Sequence, residues 1–165
     1  MENNRVKYGL LGGFFVVGYI LLFYFIDKPT MLSMGVYWSS LLIYLFFMYR
    51  ACIAERKGYH GNLIFADALR TAFVTFLIAN LVFHIFNYVL FNFVDPNLVE
   101  IQMELAKEVY PRFLDENTAK NMLRTMTKDR FEMTLSNLVF ALAKGAIGGF
   151  VLALIIAAMA RREAF

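Results

Sequence analysis

The sequence predicts an all-α polytopic membrane protein, a four-transmembrane-helix bundle with an amphipathic helical segment between spans 3 and 4. Three observations predict it. Hydrophobic residues make up 60% and aromatics 17% of the 165 residues, with a mean hydropathy of +0.57, well above the usage of a soluble domain. Four apolar runs are each long enough to cross a hydrocarbon core that needs about twenty helical residues. The one long polar stretch, 95–134, repeats its apolar residues at helical spacing. A chain of this length has room for a single membrane domain, 1–165.

The first span is expected over 8–26: Tyr8 to Ile26 carries no charge, follows Arg5 and Lys7, and stops at the turn signal Asp27-Lys28-Pro29. A signal peptide would have a shorter apolar core and a small-residue cleavage site, so this run is taken as a retained span. The second span, 31–49, brings Tyr37 and Trp38 near its start, Tyr44 and Tyr49 towards its end, and Arg50 after it, as interfacial anchors do. Residues 51–69 are more polar, with Glu55, Arg56, Lys57, Gly58 and Gly61, and are expected to form a loop and a short interfacial helix.

The third span, 71–94, is uncharged but contains Asn80, His84, Asn87 and Asn92, and Asp95-Pro96 ends it. In 95–134, Leu98, Ile101, Leu105 and Val109, then Met122, Leu123 and Met126, point to two amphipathic helices broken around Pro111 to Asn117. The fourth span, 135–160, contains Lys144 and ends at Arg161-Arg162, a length that allows tilt.

Four spans put both termini on one side. Arg5, Lys7, Arg50, Arg56, Lys57, Arg70, Arg161 and Arg162 share that side, whereas Lys28 stands alone at the tip of the first hairpin. The positive-inside rule therefore places both termini in the cytoplasm and 95–134 in the periplasm, although Lys128 and Arg130 beside the fourth span pull the other way. The net charge of +3 is spent on these flanks, so nucleic acid is not expected as a partner; the bilayer is. Cys52 has no second cysteine, which excludes an intrachain disulfide and a thiolate metal site.

The candidate binding residues form a polar cluster within the spans. Asn80, His84 and Asn87 follow i, i+4, i+7 spacing and share one helix face. Lys144 lies about 14 Å into its helix, close to the depth of His84, so the two could meet inside the bundle. The plainer account of Lys144 is a snorkelling cation, and that of the stripe is hydrogen bonding between helices. Gly9 and Gly13 on the first span, and Ala141, Gly145, Gly149, Ala153 and Ala157 on the fourth, are small-residue stripes for close helix packing, seating the fourth span on the first or on a second copy.

No metal, cofactor or catalytic residue is expected. A single histidine without a neighbouring ligand is a poor metal site, and no acid pair lies within a span to act as acid and base. Metalloprotease, serine-hydrolase and phosphate-loop motifs are missing.

Lys7-Tyr8-Gly9-Leu10-Leu11-Gly12-Gly13, the Phe65-x-x-Ala68-Leu69 approach to the third span and Phe93-Val94-Asp95-Pro96 at its end resemble a family of small four-span proteins of Bacteroidetes, domain of unknown function 4199 (DUF 4199). The likeness covers nearly the whole chain. It implies a bacterial inner-membrane location and transfers no catalytic residue. Genes of the family often lie near that of a membrane-associated family-two glycosyltransferase, which implies an accessory role in envelope glycan or lipid-linked sugar assembly, with such an enzyme as protein partner. The leading expectation is a non-enzymatic accessory or scaffolding subunit. A small oligomeric transporter or channel using Asn80, His84, Asn87 and Lys144 as a polar path is the alternative, and a membrane enzyme acting on a lipid-linked substrate is the second alternative.

Overall fold

The computed structural model describes residues 3–58 and 61–161, so Arg162, counted above among the basic flanks, lies outside the described residues. Those described are all-α, without strands, and four of the helices are long and apolar enough to cross a membrane. Helix α1, Asn4–Ile26, begins four residues before the expected span and so takes Arg5 and Lys7 into its first turns. It ends where Asp27 adopts an extended backbone, and the Asp27 carboxylate accepts the Thr30 N–H at 2.8 Å. That cap starts the one-turn helix α2, Lys28–Met31.

Helix α3 runs Met34–Gly58, starting three residues after the expected second span begins and running nine residues past its expected end. Met31 belongs to α2, and residues 51–58 continue the helix where a loop was expected. The reason is that the buried face continues: Met48, Ala51 and Cys52 are all buried, and Glu55, next on the same face, is held by Arg5. Gly61, at a φ of 92° that side chains disfavour, follows in the connection.

Helix α4, Phe65–Val89, absorbs the expected interfacial helix and then widens into a π-helical turn, Leu90–Val94. Helices α5, Leu98–Phe113, and α6, Glu116–Arg124, match the expected amphipathic pair, with the break at Leu114–Asp115. Pro111 sits inside the last turns of α5 without ending it. Leu98, Ile101 and Leu105 pack against the core, whereas Met122 is exposed. Helix α7, Leu135–Ala160, starts from Thr134, whose hydroxyl accepts from the Asn137 N–H.

Helix α4 is the centre of the assembly. It packs against α1, α3 and α7, while α1 and α7 share no extended packing. Gly9 and Gly13 let α1 ride directly on α4: an added Cβ would fall 2.7 Å from Cβ of Ile78 and 2.7 Å from Cβ of Val82. The α7 stripe also faces α4, where the first span or a second copy was expected. A Cβ on Gly145 would meet the Asn80 amide at 2.6 Å, and one on Gly149 would meet the Phe76 ring at 2.1 Å. Ala153 and Ala157 are fully buried and Ala141 is half-buried.

Two polar clusters lock the ends. At the end holding the N-terminus, Arg5 reaches Glu55 at 3.0 Å and Thr71 at 3.1 Å, so one guanidinium joins three helices. At the opposite end, Lys28 and the Tyr24 hydroxyl both donate to the buried carboxylate of Asp95. Lys28 holds that carboxyl below the usual carboxylate range, and Asp95 in turn holds the Lys28 ammonium above its ordinary value.

Candidate functional site

The two small-residue contacts that bind α7 to α4 also leave a space beside them. No residue of α7 before Gly149 is buried, so the helix leans on the bundle by its second half. A groove of about 560 Å³ opens there on the outer surface, between α3 and α7 with α4 as its floor. Tyr37, Trp38, Ser40, Leu41 and Tyr44 of α3 form one wall; Gly145, Gly148, Gly149, Val151 and Leu152 of α7 form the other. Phe76, Asn80 and Phe83 make the floor.

Aromatic contacts set the shape of the groove. Tyr37 meets Phe83 edge-on at 6.2 Å between ring centroids, and Tyr44 meets Phe76 at 5.2 Å. Ser40 is buried and spends its hydroxyl on the Tyr37 carbonyl at 2.7 Å. Trp38 on one lip is 65% exposed and Val151 on the other is 54% exposed, so the groove opens sideways rather than along the helix axes.

The floor holds an unpartnered polar group. Asn80 is 5% exposed, and its side-chain Nδ2 makes no hydrogen bond among the described residues. A buried donor left unmade costs free energy on the order of 1–3 kcal/mol. Gly145 is the reason that the amide fits at all, since any side chain there would overlap it. Asn87, also 5% exposed, has an unpartnered Oδ1, but it does not line the groove.

The expected polar cluster is only partly brought together. Asn80 and Asn87 are buried on α4. His84 is half-buried, and its Nδ1 lies 2.9 Å from the Asn80 carbonyl. A carbonyl only accepts, so Nδ1 carries the proton and the bond stays within the helix. Lys144 faces outward: it is exposed and has no hydrogen bond or ion pair among the described residues. The expectation that Lys144 could meet His84 inside the bundle is therefore corrected. The angle of α7 about its own axis puts the small residues against α4 and turns Lys144 outward.

Lys144 nevertheless belongs to the groove's surroundings. It does not line the groove, but it shares an i, i+4, i+7 stripe with Gly148 and Val151, both of which do, and so lies one turn from the opening. Sequence reasoning found Asn80, Gly145 and Gly149 but missed the α3 wall and the aromatic floor. Tyr37, Trp38 and Tyr44 read as interfacial anchors, and Phe76 gave no signal among many apolar residues. No three of His, Cys, Asp and Glu converge as metal ligands among the described residues.

Residues 7–162 match a family model described as protein of unknown function (DUF4199). No curated protein and no solved structure matches the chain.

Proposed function

The chain belongs to the DUF4199 family, and from that premise we propose that it is a non-enzymatic, membrane-embedded accessory protein that holds a hydrocarbon chain in the groove between α3 and α7. The single observation that carries this is the groove itself. It is open to the side, walled by aromatic and aliphatic groups, and placed on helices long and apolar enough to lie in a bilayer. Ligand sites are concave and mostly apolar with few placed polar groups, and Asn80 is such a group. In this reading the protein sits in a bacterial inner membrane with both termini cytoplasmic and the α5–α6 segment periplasmic, supported by the basic flanks. It serves an envelope assembly, and a membrane-associated glycosyltransferase is the partner that the family resemblance suggests.

The other two readings draw less support. A polar path would need Asn80, His84, Asn87 and Lys144 to line one passage, but two are buried, one bonds within its helix and one faces outward. An enzyme would need acid and base groups converging on the groove, and its lining offers hydroxyls and one amide.

The test is lipid retention. Purified in mild detergent, the wild-type chain should carry about one tightly held lipid per chain by native mass spectrometry. Gly148→Phe should lose it, because a side chain at Gly148 meets no atom within 4 Å and projects into free space beside the groove. Equal retention by both proteins would sink the proposal.

A further inference from the structure

Resting on that reading, the surroundings of the groove also specify the head of its guest. Three independent features meet there. The lining is almost wholly apolar, which suits an alkyl chain. The Asn80 Nδ2, nine-tenths buried and more, offers N–H donors with no acceptor among the described residues, so the guest must bring an oxygen acceptor to the floor. Lys144, one turn before Gly148, is exposed within a long apolar helix and has no hydrogen bond or ion pair among the described residues, so its ammonium is open to an anion.

The order of these groups along the groove matters. Helices α3 and α7 both start at the end of the bundle that holds α2 and α5, so they run parallel. Side chains lean towards the start of their own helix, which carries the Lys144 stem from the level of Gly145 and Asn80 towards the Trp38 end. A guest therefore meets, in sequence, an apolar slot past Phe76 and Tyr44, a donor at Asn80, and a positive charge farther out. An ester-linked chain followed by a phosphate has that order.

We propose that the groove binds an anionic glycerophospholipid. One acyl chain lies against Phe76 and Tyr44, its ester carbonyl accepts from Asn80 Nδ2, and its phosphate pairs with the Lys144 ammonium. Gly145 has a defined part in this, since only a residue without a Cβ leaves the Asn80 amide in place.

Trp38 is the sole tryptophan of the chain and stands on the lip, so its fluorescence reports what enters. The full chain is placed in phosphatidylcholine nanodiscs containing bromoacyl phosphatidylglycerol or, separately, bromoacyl phosphatidylcholine. The expected result is half-quenching by the anionic lipid at a mole fraction about five-fold lower, the preference that one lysine confers on an anionic head group. Lys144→Gln should abolish the difference while both lipids still quench, and Gly148→Phe should weaken quenching by both. If the two lipids quench alike in the wild type and Gly148→Phe weakens both, the groove takes a chain without reading its head. That overturns this inference and leaves the proposed function standing. If Gly148→Phe changes nothing with either lipid, no chain occupies the groove and both fail.

Discussion

Gly149 and Gly148 are neighbours on α7 with opposite demands. A methyl at Gly149 would fall 2.1 Å from the Phe76 ring, whereas at Gly148 it would meet nothing within 4 Å. Gly149→Ala must displace a ring that packs at a tilt against Tyr44, and overpacking of this kind costs typically about 1–3 kcal/mol. Gly149→Ala should therefore lower the thermal midpoint of the detergent-solubilised protein by several degrees, and Gly148→Ala should leave it within error; equal midpoints would refute the assignment. The Asp95 carboxylate sets an acid limit. Its folded-state value lies below the ordinary value of about 3.9 because Lys28 donates to it, so its contribution is full above that pH and is lost as pH falls through the lower folded value. Lys28, raised by the same contact, contributes fully below about 10.4 and loses that contribution as pH rises through its higher folded value. Asp95→Asn should melt lower at neutral pH and show a smaller drop between about pH 7 and pH 3; an unchanged drop would remove Asp95 from the acid response. At this scale the depth of Lys144 was legible in the sequence, but its direction was not, because direction depends on how α7 is turned against α4.

The contact between α1 and α4 was half-legible. Gly9 and Gly13 announced a close approach, but the partner surface of Thr75, Ile78, Ala79 and Val82 carries no pattern of its own. Replacing both glycines by alanine should separate the helices and destabilise the protein more than either change alone. The sum should fall short of additive, because the two sites share one interface, and calorimetric or denaturant melts of the three variants decide this. Helix α3 was misjudged for a different reason. Arg50 marks where the chain leaves the apolar zone, and a helix has no need to end there when its buried face runs on through Ala51 and Cys52 to a glutamate held by Arg5. The groove was not legible at all. It arises from three helices diverging, and no local spacing records it.

On the scale of the whole molecule, the four helices and the paired amphipathic segment followed from hydropathy and period alone, since length and apolarity are local properties. What the sequence withheld was the hub, the fact that α4 packs against every other long helix while α1 and α7 share no extended packing. The crossing number itself can be measured. Cys52 is fully buried, so it should resist maleimide in the folded chain and can be left in place. Lys57→Cys and Lys120→Cys should then label from opposite faces of sealed vesicles, and labelling from one face only would contradict four crossings.

The hub position of α4 bears on biogenesis. A ribosome delivers α1 and α3 before α4, so the first hairpin emerges without the surface onto which Gly9 and Gly13 close. When α4 arrives, three helices can assemble at once, while α7 is still separated from them by the whole of 95–134. The last helix is thus a late arrival docking on a finished surface, and nascent chains halted after α4 should already resist proteolysis over their first three long helices.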